Sequence, residues 1–111
     1  MKRYCQTLKL RDSNDLIAQY VEEHKHVWPE VQEGIKEVGI LDMQIYIHEN
    51  VLFMIVDTVD DFDWEADMGR LAGLPRQAEW EEHVGRFQVA AEGASSKEKW
   101  VLMDKIFELE K

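Results

Sequence analysis

The sequence predicts an α+β fold with the element order β-α-β-β-α-β. This is the ferredoxin-like arrangement, in which helices cover one face of a four-stranded antiparallel sheet. Three observations predict it: segments in which apolar and polar residues alternate, segments in which apolar residues recur every three or four positions, and a two-residue link between the middle two strands. Because 111 residues fall within the size range of one domain, residues 1–111 are assigned to a single domain.

Local signals define the elements of the first half. Residues 3–10 alternate loosely and predict a first strand with one face buried. Helix N-cap candidates at positions 12–15 precede apolar residues at helical spacing, which continue as far as Trp28. Pro29 disfavours helical backbone at Trp28, so we expect the helix to break or kink there. A second helix then starts near Pro29 and ends at Gly39, a predicted C-terminal cap.

The second half supplies a hairpin, another interrupted helical region and a last strand. Glu49 and Asn50 form the short link that implies an antiparallel hairpin. The third helix carries Trp64 on its apolar side, and the residues 73–75 (Gly-Leu-Pro) separate it from the fourth. The predicted segments are strands at 43–48 and 52–56, a turn and helix start at 57–63, a helix at 77–87, a loop at 91–98 and a strand at 100–107.

The open face of the predicted sheet needs a cover. It carries residues from all four strands, so we expect two copies of the chain to pack sheet to sheet as a homodimer. A protein of this size buries a limited fraction of its surface, which makes a substrate cavity inside one protomer hard to enclose. We therefore expect the two sheets to create the cavity together, with aromatic residues lining it.

Charge and composition exclude several classes of function. The formal net charge of −10 repels phosphate backbones and anionic lipid, which argues against nucleic acid and membrane surfaces as partners and is compatible with a neutral substrate. Cys5 is the one cysteine, so neither an intrachain disulfide nor a thiolate metal cluster within one chain is expected. With no apolar run near the ~18 residues that span a bilayer and no signal-peptide pattern, we expect a cytoplasmic protein.

His24 is the best placed of the four histidines for acid–base chemistry. Tyr20 precedes it by four residues and Trp28 follows it by four, so on one helix all three project from the same face. A hydroxyl, a proton-transfer group and an aromatic platform are what a sugar site requires. The alternative is a buried stripe of the helix, which the same spacing produces more often.

The other histidines and the acidic residues predict no further site. His26 points away from His24, His48 is predicted to be a solvated strand end, and His83 a surface ion-pair residue. The acidic residues at 57–63 lack the order of a calcium loop, and Glu30 is expected to stabilise a helix N-terminus. Phosphate-binding loops, zinc-protease motifs and serine nucleophile elbows are absent, so we predict no metal and no cofactor.

The sequence resembles the L-rhamnose mutarotase family over nearly its whole length. The residues that carry the resemblance are Tyr20-x-x-x-His24-x-x-x-Trp28-Pro29-Glu30-Val31, Ile45-Tyr46-Ile47, Leu52-Phe53-Met54 and Trp80. The resemblance implies a dimeric α+β barrel that interconverts the α and β anomers of a free monosaccharide without a cofactor. It also implies that His24 is the general acid, Tyr20 a sugar-binding hydroxyl and Trp80 a ring that packs on the sugar.

Two departures from the family pattern bear on the substrate. Glu79 stands where the rhamnose enzymes have the first Trp of a Trp-Trp pair, and Met43 stands where they carry an aromatic hydroxyl. The resemblance places both residues at the sugar pocket, together with Trp28 of the stripe. A related 6-deoxyhexose, L-fucose above all, therefore competes with L-rhamnose as the expected substrate. Arg76 is expected either to contact a sugar hydroxyl or to form a surface ion pair.

Two other classes of function fit the same pattern. Dimeric barrels of this kind host several chemistries, so a cofactor-independent oxygenase or a haem-degrading enzyme is one alternative. A non-catalytic sugar-binding module is the other. Catalysed exchange between sugar anomers distinguishes the mutarotase from both.

Overall fold

The computed structural model describes residues 1–89 and 99–110, and it has the predicted element order. The predicted loop at 91–98 lies outside the described residues. Each helical region consists of two helices. The elements are β1 (Lys2–Lys9), α1 (Asn14–Glu23), α2 (Pro29–Glu37), β2 (Ile40–His48), β3 (Val51–Thr58), α3 (Trp64–Ala72), α4 (Gln77–Gly85) and β4 (Val101–Leu102).

The four strands form one antiparallel sheet in the order β2-β3-β1-β4, which confirms the ferredoxin-like prediction. The two-residue link closes the β2–β3 hairpin, and Glu49 turns the chain with a left-handed φ of 55°. Gly39, the predicted cap, follows α2 with φ of 102°, and a Cβ there would lie 2.9 Å from the Val59 side chain. Glycine therefore permits both the backbone conformation and the close approach.

The register divides the sheet into a covered face and an open face. Gln6 pairs with Met54 and Met54 with Ile45, so these side chains share the face on which the helices pack. Phe53 pairs with Tyr46 on the opposite face, where Tyr46 keeps 58% of its surface exposed. The protomer thus leaves one sheet face open, as the sequence predicts.

Helix α1 is shorter than predicted. It begins where the Ser13 hydroxyl accepts a hydrogen bond from Leu16 N–H, but it ends at Glu23 with His24 as its C-cap, so Trp28 does not share a helix with His24. Trp28 has ψ of 135°, the extended conformation that the following proline favours. Because α2 begins at Pro29 in a new direction, residues 24–28 form the turn between the two helices. The prediction of a helix through Trp28 was therefore wrong.

The last strand is also shorter than predicted. Only Val101 and Leu102 pair with β1, and Met103 N–H then donates to the Cys5 carbonyl at 2.8 Å. Ile106 is 96% exposed, and the described chain beyond Met103 is not strand. Strand propensity reflects packing against neighbours, and the protomer offers no covering surface to residues 104–110, so the prediction of a strand to 107 was wrong.

A buried glycine lets α2 and α4 approach each other. The Gln77 amide donates to the Val31 carbonyl across the two helices at 3.0 Å. A Cβ on Gly34 would lie 2.5 Å from the donating nitrogen, Gln77 Nε2, whereas a Cβ on Gly69 of α3 would meet nothing within 4 Å. The two helical glycines therefore form a matched pair with opposite surroundings.

Gly34→Ala is expected to destabilise the protein by about 1 kcal/mol. Displacing Gln77 leaves buried polar groups unpaired at a cost of about 1–3 kcal/mol, which exceeds the ~1 kcal/mol that alanine gains in helix propensity. Gly69→Ala, the control, gains the propensity alone and is expected to stabilise by about 0.5–1 kcal/mol. Urea unfolding of both variants measures the difference, and equal stabilisation by both would contradict the packing described.

Candidate active site

A large cleft lies between the covered face of the sheet and the helices. Its volume is about 1730 Å³, and its lining includes residues of α1, α2, α4, β2 and β3. All six residues proposed from the sequence line it: Tyr20, His24, Trp28, Met43, Glu79 and Trp80. They belong to one protomer, so the expectation that two sheets create the cavity was wrong: the helices stand over the apolar sheet face and form an open cleft with it.

His24 is fixed by the end of α1. Its Nδ1 lies 2.9 Å from the Tyr20 carbonyl oxygen, and its ring centroid lies 4.2 Å from that of Tyr20 and 5.5 Å from that of Trp80. A carbonyl only accepts hydrogen bonds, so Nδ1 carries the hydrogen in this contact. In the neutral ring Nε2 therefore holds the free lone pair.

Burial keeps the His24 imidazole neutral. Removal from water lowers its pKa below the ordinary 6.5, and this outweighs the hydrogen bond to the Tyr20 carbonyl and the charge of Glu23, which both act to raise the pKa. At neutral pH the site thus contains a proton acceptor, Nε2, beside aromatic rings.

Tyr20 lies beneath His24 as a buried neutral phenol. Only 2% of its surface is exposed, and its ring meets Phe87 edge to face with centroids 6.2 Å apart. Burial raises the pKa of its hydroxyl, more than a side-chain hydrogen bond with Gln88 lowers it. Tyr20 therefore keeps its proton at neutral pH.

Two tryptophans from different elements form an aromatic wall. The ring centroids of Trp28 and Trp80 are 5.2 Å apart in an edge-to-face arrangement. The Arg76 guanidinium stacks over Trp28 at 4.0 Å, which holds the ring from its outer side. The predicted stripe is thus brought together around Trp80 of α4, although α1 and the turn at 24–28, rather than one helix, position its members.

Charged residues form the rim of this wall. Arg76 lies 3.7 Å from a carboxylate oxygen of Glu30 and 3.7 Å from one of Glu79, so the ion-pair alternative predicted for Arg76 is the one observed. Glu30 occupies the first turn of α2, where its negative charge interacts favourably with the positive end of the helix dipole. Glu79 is 66% exposed, and half-buried Met43 lies on the sheet side of the cleft.

Comparison with known proteins identifies the family. The L-rhamnose mutarotase family matches residues 3–109. An L-fucose mutarotase of Xanthomonas campestris pv. campestris is 39% identical over 98% of this chain and 89% of its own. An L-rhamnose mutarotase of Mesorhizobium japonicum is 28% identical over 68% of this chain and 66% of its own.

The chain belongs to the L-rhamnose mutarotase family. Membership confirms the resemblance predicted from Tyr20, His24 and the Trp28-Pro29-Glu30 run, and with it the expected mutarotase activity. The crystal structure of an L-rhamnose mutarotase from Formosa agariphila has the same fold, with a TM-score of 0.77 over 99% of this chain and 100% of that one at 20% identity.

The remaining histidines lie largely where the sequence predicts. His48 is exposed, and His26 lies 3.6 Å from Glu22 in an exposed pair. His83 forms the predicted ion pair, with Nε2 2.9 Å from a Glu23 oxygen. Its ring also lies 5.5 Å from that of Trp28, so it joins the aromatic wall of this mutarotase, which spacing along the sequence does not reveal.

Buried polar residues in the cleft escaped prediction. Lys99 donates to the Glu81 carbonyl at 2.7 Å and to its carboxylate at 3.0 Å, and burial raises the pKa of Glu81 against the opposing effect of Lys99. Gln6 and Gln88 are buried and line the same cleft. Glutamines carry no motif, so only the fold shows that they meet.

Two structural features are absent from the described residues. Residues 1–89 and 99–110 contain no group of three or more His, Cys, Asp or Glu side chains placed to hold a metal ion. In the same part of the chain, no helix has the length and apolar character needed to cross a bilayer.

Proposed function

We propose that the protein interconverts the α and β anomers of a free 6-deoxyhexose, with L-fucose as the leading substrate. His24 transfers the proton, Tyr20 binds the sugar, and Trp28 and Trp80 pack on its ring. The observation that carries this proposal is the hydrogen bond from His24 Nδ1 to the Tyr20 carbonyl, which leaves the Nε2 lone pair available inside an aromatic cleft.

A neutral imidazole suits the ring-opening half of the reaction. Nε2 takes the proton of the anomeric hydroxyl, the C1–O5 bond breaks as the C1 carbonyl forms, and O5 takes a proton from water. After rotation about C1–C2, O5 returns its proton to the hydroxide left from that water and attacks the other face of C1, and the His24 imidazolium returns a proton to the carbonyl oxygen. His24 is thus the base in opening and acts in the predicted role of general acid during closure.

The surfaces of the cleft fit a 6-deoxy sugar. Met43, Ile45 and Met54 line it from the sheet side, and Trp28 and Trp80 line it from the helices. A methyl group at C5 packs against such surfaces, whereas a hydroxymethyl group would leave a hydroxyl without a partner at a cost of about 1–3 kcal/mol. Tyr20, which keeps its proton, is available to donate a hydrogen bond to a sugar oxygen.

The comparisons favour L-fucose over L-rhamnose. The L-fucose mutarotase shares 39% identity over almost the whole chain, and the L-rhamnose mutarotase shares 28% over about two thirds. Met43 and Glu79, the two departures from the rhamnose pattern, both line the cleft. Replacing an aromatic hydroxyl and a stacking ring changes which sugar hydroxyls the pocket can satisfy.

His24→Gln is expected to slow catalysed anomer exchange by about 10²–10⁴-fold, because it removes the proton acceptor and keeps a side chain of similar size. Saturation-transfer NMR on L-fucose, L-rhamnose and D-glucose measures the exchange, with L-fucose fastest for the unaltered protein. His48→Gln, an exposed histidine outside the cleft, is the matched control and retains full activity. Exchange unchanged by the protein for every sugar would refute the proposal, and full activity in His24→Gln would refute the residue assignment.

We also propose that two copies of the chain form a homodimer through the open sheet face. Tyr46 is exposed there, and Phe53 and Ile55 are half-buried on the same face. Ile106 and Phe107, near the end of the chain, are exposed as well. Covering these apolar side chains supplies the driving force for association.

Light scattering at micromolar concentration is expected to give twice the 13.1 kDa mass of one chain. Ile55→Asp places a charge on the open face and is expected to shift the mass toward the monomer. Val21→Asp, at an exposed apolar position on α1, is the control and keeps the dimer. A monomer mass for the unaltered protein contradicts this assembly.

A further inference from the structure

Gln88 presents a buried acceptor without a partner. Its side chain lines the cleft and only 2% of the residue is exposed, yet its Oε1 receives no hydrogen bond from any residue that the structure describes. Buried polar atoms are nearly always satisfied, so an exception inside a cleft points to a group that arrives from solution.

The other buried glutamines show that this is specific to Gln88. Gln77 donates its amide to the Val31 carbonyl at 3.0 Å, and Gln6 donates to the Met54 sulfur at 3.0 Å. Neither has a buried side-chain atom left without a partner in the described part of the chain. Among residues 1–89 and 99–110, Gln88 alone combines full burial, a position in the cleft and an unused acceptor.

The backbone around Gln88 is held firmly. Phe87 accepts a hydrogen bond from Arg11 N–H at 2.9 Å, and Val89 donates to the Lys9 carbonyl at 2.9 Å, so Gln88 bridges to the end of β1. These backbone bonds on either side fix where the Gln88 side chain enters the cleft. Its side chain lies close enough to the Tyr20 hydroxyl to lower the pKa of that group.

We propose that Gln88 Oε1 accepts a hydrogen bond from one of the C2–C4 hydroxyls of the sugar and determines which sugar the enzyme accepts. This rests on the proposed function, because the anomeric hydroxyl is assigned to His24. Tyr20 joins the two groups: its ring packs on His24, and its hydroxyl contacts Gln88. The acceptor and the proton-transfer residue therefore both lie beside one buried phenol and line the same cleft.

The chemistry of the acceptor selects the ligand class. A carbonyl oxygen needs a donor, and every ring hydroxyl of a neutral sugar is one. A site built to hydrogen-bond a hydroxyl discriminates strongly against an analogue that lacks it, because the buried partner is then left unpaired. Removing the hydroxyl that Gln88 binds should therefore weaken sugar binding as much as removing the Gln88 acceptor does.

The test measures equilibrium binding of L-fucose and its 2-, 3- and 4-deoxy analogues by tryptophan fluorescence or calorimetry. For the unaltered protein, one analogue is expected to bind about tenfold more weakly than L-fucose. Gln88→Met keeps the volume and removes the amide; it should bind L-fucose about tenfold more weakly and show no further loss for that analogue. Gln77→Met, whose amide serves the helix contact, is the matched control and keeps the discrimination.

Three results overturn the inference. The first is equal binding of all four sugars by the unaltered protein, which needs no variant and holds even if Gln88→Met does not fold. The second is an unchanged affinity of Gln88→Met for L-fucose, and the third is an equal loss for every sugar, which leaves the discrimination as it was. Binding and exchange also separate the two proposals: Gln88-dependent binding without anomer exchange refutes the mutarotase alone, and exchange without Gln88-dependent binding refutes this inference alone.

Discussion

The ring of Pro29 disfavours helical backbone at Trp28, and the position of Trp28 in the cleft depends on that extended residue. Helix α1 ends at Glu23, and the turn at 24–28 redirects the chain. His24 therefore lies at the end of the helix, where its Nδ1 donates to the Tyr20 carbonyl. Trp28 lies after the turn and contacts Trp80 of α4. On one unbroken helix the same residues would form a stripe; the break makes them the wall of a cleft.

Burial then sets the protonation of the groups in that cleft. Loss of water disfavours charge, so it lowers the pKa of the His24 imidazole and raises those of the Tyr20 phenol and the Glu81 carboxyl. For His24 and Tyr20 the outcome at neutral pH is an uncharged acceptor beside an uncharged donor. That pair matches a neutral sugar, whose anomeric hydroxyl must lose a proton while another oxygen accepts a hydrogen bond, and neither step requires a charged ligand.

The features that the sequence predicts correctly are those that depend on a few neighbouring residues. The β2–β3 hairpin, the restart at Pro29 and the cap at Gly39 each follow from a few adjacent residues, and the order of elements fixes the fold. The end of α1, the length of β4 and the location of the cleft depend on packing between distant segments, which the local pattern of the sequence does not show. Gln88 shows the limit most clearly, because an unpaired buried acceptor is defined only by what surrounds it.

The account centres on a neutral His24 that accepts the anomeric proton, and the pH dependence of catalysed exchange tests this most directly. After subtraction of the uncatalysed rate, the rate constant for L-fucose should stay level from pH 8 to about 6.5, the ordinary histidine pKa. It should fall, toward tenfold per pH unit, only below the lowered pKa of His24, because protonation removes the Nε2 lone pair. A rate that rises as the pH falls from 8 toward 6 would contradict the account, since it would require the imidazolium as the active form.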